Sequence, residues 1–187
     1  MQKTLIRSLA ACACAAVVTS SSAIAQAPTA PTSIIVEKPA YTTVSLDIMV
    51  NKPVDEVWKR VGKFCDTAEW LQIASGCKLI SGKDGEAGAV RTLASEVFVA
   101  ATQYSYTYTQ TPKPNQPYNL YHGTMEARAV TPTTTKVIYT LMFDNSMLPD
   151  DAAREKDKAS RAALFTRALA NIKVLAEGGT LPPPVKR

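Results

Sequence analysis

Three tyrosines spaced two apart, Tyr104, Tyr106 and Tyr108, are the residues whose pattern most readily suggests chemistry. Side chains alternate across a strand, so a strand here places all three on one face. Their hydroxyls could line a cavity, orient a ligand or donate a proton. The same row serves equally well as cross-strand packing or as a face turned to solvent. Arg91 sits among apolar neighbours and could hold a carboxylate or a ring oxygen at a cavity mouth. It could equally pair with Glu96 or another acid. His122 is the only histidine, and histidine is the side chain that ordinarily titrates near neutral pH. Alternation groups it with Tyr118, Thr124 and Glu126, against Tyr121 and Met125 on the other face. The second face is the more apolar and should look inward, which turns His122 outward and leaves it without an evident partner for acid–base work.

Cysteine adds one more candidate. Cys65 and Cys77 lie twelve apart, a natural disulfide in an oxidising compartment. Such a short loop is worth about 3 kcal/mol in the chain-entropy picture. Two unpaired buried thiols are the other reading. No acidic cluster accompanies the pair and the one histidine is distant, so no metal site is expected. No phosphate loop, nucleophile elbow or His-Glu-x-x-His run occurs, and no cofactor is expected.

The compartment is read from the front of the chain. Lys3 and Arg7 precede a small apolar run from Leu9 to Val18, and Ala23-Ile24-Ala25 offers a small-x-small cleavage signal. Residues 1–25 therefore read as a secretory signal peptide, and the domain is expected in the periplasm or secreted. No segment approaches the ~20 apolar residues of a membrane span, so stable insertion is not expected. Without Lys3 and Arg7 the formal charge of +5 becomes +3. No Lys/Arg block stands out, which argues against a nucleic-acid partner.

Several elements must position these residues. Residues 26–40, rich in Pro, Ala and Thr, read as a flexible leader. Val44, Leu46, Ile48 and Val50 then alternate with polar residues as a half-buried strand. Pro53 opens a short helix with Val54, Val57, Trp58 and Val61 on one face, ended by Gly62. A second helical piece is expected over Cys65–Ile73. Strands follow at Cys77–Ile80, Ala89–Ala94, Glu96–Ala101, Tyr104–Gln110, Tyr118–Thr131 and Lys136–Asp144. A long helix starts at Pro149-Asp150-Asp151 and stops at Gly178-Gly179, with Ala162, Phe165, Leu169, Ile172 and Ala176 on one face. Residues 178–187 read as a flexible tail, leaving a domain over 41–177. This order predicts an α+β fold, a curved antiparallel sheet of six or seven strands around the final helix. The space between them is the default ligand site.

The order, together with particular residues, resembles the SRPBCC superfamily of START-like and polyketide cyclase/dehydrase-like domains. The resemblance is carried by Pro53-Val54-Asp55-Glu56-Val57-Trp58, the Phe64–Trp70 segment, Gly76-Cys77 and Gly88-Ala89-Val90-Arg91-Thr92-Leu93. Tyr104-Ser105-Tyr106-Thr107-Tyr108 and the final helix with Phe165 and Leu169 complete it. It implies a helix-grip fold with a cavity for a small hydrophobic molecule or lipid. Trp58, Phe64 and Trp70 would be core or rim residues. Tyr121, Met125, Tyr139, Leu141, Phe143, Phe165 and Leu169 would form the inner wall with Arg91 and the tyrosine row. The expected function is ligand binding. The alternatives are a cyclase, dehydrase or lyase using tyrosines, Arg91 or His122, and an interaction module with a filled core.

Overall fold

The computed structural model describes residues 36–113 and 116–184, so the export signal read from residues 1–25 lies outside it. The first described element is β1 (Tyr41–Val50), followed by two short helices, α1 (Val54–Val61) and α2 (Thr67–Trp70). Six strands come next: β2 (Leu79–Ser81), β3 (Val90–Arg91), β4 (Glu96–Thr102), β5 (Ser105–Gln110), β6 (Asn119–Thr131) and β7 (Thr134–Asp144). The last helix is α3 (Asp151–Ala176). The strands form one antiparallel sheet in the order β1-β7-β6-β5-β4-β3-β2. A curved open sheet with α3 laid against its inner face is the α+β helix-grip architecture expected from the sequence.

Local chemistry accounts for the elements. In β1, Val44 and Val50 are buried while Thr43, Ser45 and Asp47 are exposed, the alternation of a half-buried strand. In α1, Asp55 and Glu56 occupy the first turn and Lys59 and Arg60 the last, matching the helix dipole at both ends. Its Val57 and Val61 are buried. Asp150 caps α3 by accepting a hydrogen bond from the Ala153 amide at 2.7 Å, satisfying one of the free N–H groups of the first turn. The buried face of α3 is Phe165, Ala168, Leu169, Ile172, Leu175 and Ala176. All of these belong to its C-terminal half. Residues 151–164 bury nothing completely, and Ala162 is half-buried.

Several elements differ from expectation; the strand read over Cys77–Ile80 is β2 at Leu79–Ser81, and three further differences have a backbone reason. The α2 helix is only Thr67–Trp70, and just beyond it Gln72 adopts φ 57°, a left-handed conformation that cannot continue a helix. The strand expected to reach Ala94 ends at Arg91, because Ala94 (φ 48°) and Ser95 (φ 53°) turn the chain into β4. β5 begins at Ser105, since Gln103 and Tyr104 form the turn from β4. The β6–β7 hairpin, by contrast, is tighter than expected, turning through Pro132-Thr133 alone.

Candidate functional site

The inner face of the sheet is a layer of aromatic rings. Tyr106 and Tyr108 come from β5, Tyr121 and Met125 from β6, and Tyr139, Leu141 and Phe143 from β7, all buried. Phe165 and Leu169 meet them from α3, while Phe64 and Trp70 arrive from the α1–α2 region, again buried. Phe64 packs edge-on against Phe98 at 5.2 Å and Tyr106 at 5.8 Å. Tyr139 stacks on Phe165 at 4.4 Å and takes the edge of Trp70 at 5.8 Å. Trp58 is half-buried at the margin, 6.0 Å from the Tyr106 ring. Phe98, on β4, was not singled out in the sequence, although its alternation with Glu96 places it on the inner face.

Tyr104 does not join this layer. It sits in the turn before β5, where its hydroxyl donates to Asp55 and accepts from Gln103. The expected three-tyrosine row is therefore a pair inside and one tyrosine outside. His122 lies half-buried on the outer side of β6, with Tyr121 and Met125 inward, as alternation required.

The rings leave little room between them. Phe64, Trp70, Met125, Leu141 and Phe143 are fully buried, at 0% exposure, which leaves no water-sized space of note beside them. Close approach is enforced at Gly123, which faces Tyr108 across the β5–β6 pair. A Cβ at that position would come within 2.3 Å of the Tyr108 ring, far closer than contact distance.

A chain of polar contacts crosses this apolar layer. The Arg91 Nε donates to Glu96 at 2.6 Å, its Nη1 donates to Thr67 at 2.7 Å and to the Phe64 carbonyl, and Nη2 completes the ion pair with Glu96. The guanidinium also lies over the Phe64 and Tyr108 rings, at 4.0 and 4.8 Å. Of the two roles open to Arg91, the structure thus shows the pairing with Glu96. Glu96 also accepts from Gln110 at 2.9 Å, and Gln110 accepts from the Tyr118 hydroxyl at 2.6 Å. Tyr108 and Tyr139 share a hydrogen bond at 2.8 Å between their hydroxyls. Burial pushes the Glu96 carboxyl above its ordinary range, while Arg91 and Gln110 pull the other way. Burial likewise raises Tyr106, Tyr108 and Tyr139, and takes Tyr121 to about 12 against the pull of Arg161. At neutral pH these tyrosines are protonated, able to donate a hydrogen bond but not to act as bases.

Two further features shape the site. Cys65 and Cys77 form the expected disulfide, with Cα atoms 5.3 Å apart, and this closes the loop that carries Thr67 and begins just after Phe64, both of which contact Arg91. Arg161 of α3, not singled out in the sequence, lies over Phe143 at 4.4 Å and Tyr118 at 4.5 Å. Its Nε donates to Asp157 at 3.0 and 3.1 Å. Nothing in the helical period distinguished it, because its role depends on where β6 and β7 pass beneath the helix.

Open space remains on one side. Between β1 and the N-terminal half of α3 lies a groove of about 390 Å³, lined by Thr43, Val44, Ser45, Leu46, Glu155, Lys158, Ala159 and Ala162. It exists because α3 carries alanines here, while its large apolar residues begin only at Leu164 and Phe165. Among the described residues, no group of three or more His, Cys, Asp or Glu is placed to hold a metal ion. No described helix is long and apolar enough to cross a membrane.

Residues 41–177 match the family model described as polyketide cyclase/dehydrase and lipid transport. Among solved structures, one from Thermobifida fusca is 21% identical, covering 75% of this chain and 97% of its own, with TM-score 0.60. The ZhuI aromatase/cyclase from Streptomyces sp. R1128 is 17% identical over 75% of this chain and 100% of its own, with TM-score 0.56. Truncated norcoclaurine synthase from Thalictrum flavum is 10% identical over 76% and 97%, with TM-score 0.57. Identities this low establish the shared fold. No curated protein matches the chain in sequence.

Proposed function

The chain belongs to the polyketide cyclase/dehydrase and lipid transport family, and on that premise we propose that it binds a small hydrophobic or amphipathic molecule between the sheet and α3. The groove between β1 and α3 carries this reading. At about 390 Å³ it falls in the size range of small-molecule sites. Its strand wall brings Val44 and Leu46, which continue into the aromatic layer, and its helix wall brings Ala159 and Ala162. An apolar ligand body would lie along these four. Glu155 and Lys158 at the helix wall suit a polar end.

Binding is favoured over chemistry by how the buried polar groups are used. Arg91, Glu96, Thr67, Gln110, Tyr108 and Tyr139 are all engaged with one another. Catalysis of cyclase or dehydrase type would require at least one of them to exchange its partner for substrate. The aromatase/cyclase neighbour shares the fold at 17% identity, too low to carry its activity across. The basic, apolar, small-residue order of residues 1–25 supports placing this binding in the periplasm or outside the cell.

Native mass spectrometry of the protein purified from the exported fraction, followed by solvent extraction, tests the proposal. A co-purifying apolar compound, released when the protein is denatured, is the expected result. A protein that carries nothing and takes up no fluorescent apolar probe contradicts it.

A further inference from the structure

Among the described strands β1 pairs only with β7, and its other edge differs between its two ends. Late in the strand α3 seals that edge. The Met49 carbonyl accepts from the Lys173 ammonium at 2.9 Å, and the Asn51 N–H just beyond donates to Glu177 at 2.8 Å. On the opposite side, the Ala40 carbonyl accepts from the Asn145 N–H at the end of β7, at 3.2 Å. In an antiparallel strand the N–H and C=O of one residue point the same way, and successive residues alternate. The register from Tyr41 to Val50 is unbroken, so even-numbered residues face β7 and odd-numbered ones face the other edge. Thr43 and Ser45 therefore turn both backbone groups outward, and these make no hydrogen bond to any described residue.

Thr43 and Ser45 also line the β1–α3 groove, with Val44 and Leu46. Successive side chains point to opposite faces of a sheet, so a space touching all four reaches the strand's edge. Its strand wall thus offers two donors and two acceptors, in pairs about 7 Å apart, beside an apolar strip. We infer that the groove takes its ligand as an added strand, an extended peptide of alternating aliphatic residues whose backbone pairs with Thr43 and Ser45. This choice of ligand class rests on the groove being a ligand site, as proposed above. Main-chain bonds hold such a peptide, and every second side chain lies on Val44, Leu46, Ala159 and Ala162. The alanines leave the edge uncovered here, where Lys173 and Glu177 cover it further along. Charge on the helix wall agrees. Lys158 is half-buried, Glu155 lies one turn before it, and neither makes an ion pair with a described residue. A ligand with a lone anionic head meets Glu155 as well as Lys158, at the cost of like charge. A peptide satisfies both, with an acidic side chain or free C-terminus for Lys158 and N–H donors for Glu155.

Panning a display library of random heptapeptides on the full chain, then titrating a selected peptide made synthetically, tests this. The peptide should displace anilinonaphthalene sulfonate from the groove. N-methylating its alternate backbone nitrogens in one phase should weaken binding roughly tenfold or more, and in the other phase less than about threefold, because only one set of N–H groups faces β1. Ser45→Pro removes a free-edge N–H without touching the β1–β7 bonds, at a position where an edge strand accepts proline. With hydrogen exchange in β6 and β7 unchanged, this variant should bind the peptide roughly tenfold more weakly. If the dye binds saturably and is excluded by Ala159→Trp, yet no peptide is enriched or neither methylation phase matters, added-strand binding is overturned and the ligand reading stands. A Ser45→Pro variant that binds the peptide as well as the wild type overturns it too. Absence of saturable dye binding overturns both. A dimer that Ser45→Pro abolishes also overturns it, because the edge then belongs to a second copy.

Discussion

Gly123 stands opposite Tyr108 on the neighbouring strand, and no other residue leaves space for that ring. Replacing it by alanine overpacks a filled layer, which typically costs about 1–3 kcal/mol. Denaturant unfolding of Gly123→Ala should therefore show a lower midpoint at unchanged slope, and an unchanged midpoint would mean that the layer is looser than described. The buried tyrosines also make a prediction in pH. Tyr121 titrates near 12 in the folded chain, above the ordinary tyrosine value of 10. A folded value above the unfolded one contributes stability that is complete below pH 10 and lost as pH rises from 10 through 12. Tyr121→Phe should remove that share, so the stability difference between wild type and variant should narrow or reverse over this interval. A difference that does not vary between pH 9 and 12 would contradict the assignment. At this scale the inward positions of Tyr106, Tyr108, Tyr121 and Met125 were legible, because strand alternation is a strict geometric rule. Tyr104 was not, because alternation cannot say where a strand begins. The partner of Arg91 was one of two possibilities, since both acids and ligands suit a guanidinium. Only the approach of Glu96 on the next strand decides between them.

Among the elements, the α2 loop depends most on a single bond. The Cys65–Cys77 disulfide closes the segment that presents Thr67 to Arg91 and is anchored next to Phe64, whose carbonyl Arg91 also reaches. A paired Cys65→Ser/Cys77→Ser variant should lose about 3 kcal/mol on the loop-entropy estimate, with exchange rising in α2 and at Arg91 before it rises in β6 and β7. Equal exchange across the sheet and α2 would show that the loop holds without its staple. Both strands of the long β6–β7 hairpin, the cap of α3 and its buried stripe were legible, because each repeats a period over many residues. The short elements were less so. Gln72, Ala94 and Ser95 adopt left-handed backbone conformations without being glycine or asparagine, and nothing in their residue types announces a turn. The two halves of α3 also differ in a way that one periodic pattern hides. Its apolar spacing runs through Ala162, yet complete burial starts only at Phe165.

Across the whole molecule, the sheet and α3 do two jobs at opposite ends. Towards the C-terminal half of α3 the rings of Phe64, Trp70, Tyr139 and Phe165 close on one another and hold the fold together. Towards its N-terminal half, small residues keep α3 away from β1 and leave a groove. The sequence led to a cavity between sheet and helix, with aromatic residues as its wall. In the structure those residues fill their own interior, and the open space lies beside them. Volume is a property of the final packing of all elements, which no single stretch of sequence encodes. Binding therefore depends on the groove, and the most direct test is to fill it. Ala159 lines the groove and is exposed, so Ala159→Trp should occupy the space without disturbing the core. Titration of wild type and Ala159→Trp with an apolar fluorescent probe, at matched thermal stability, is the decisive measurement. Saturable binding in the wild type that weakens at least tenfold in the variant is the predicted result. Equal affinity in the two, or no saturable binding in either, would contradict a ligand site between β1 and α3.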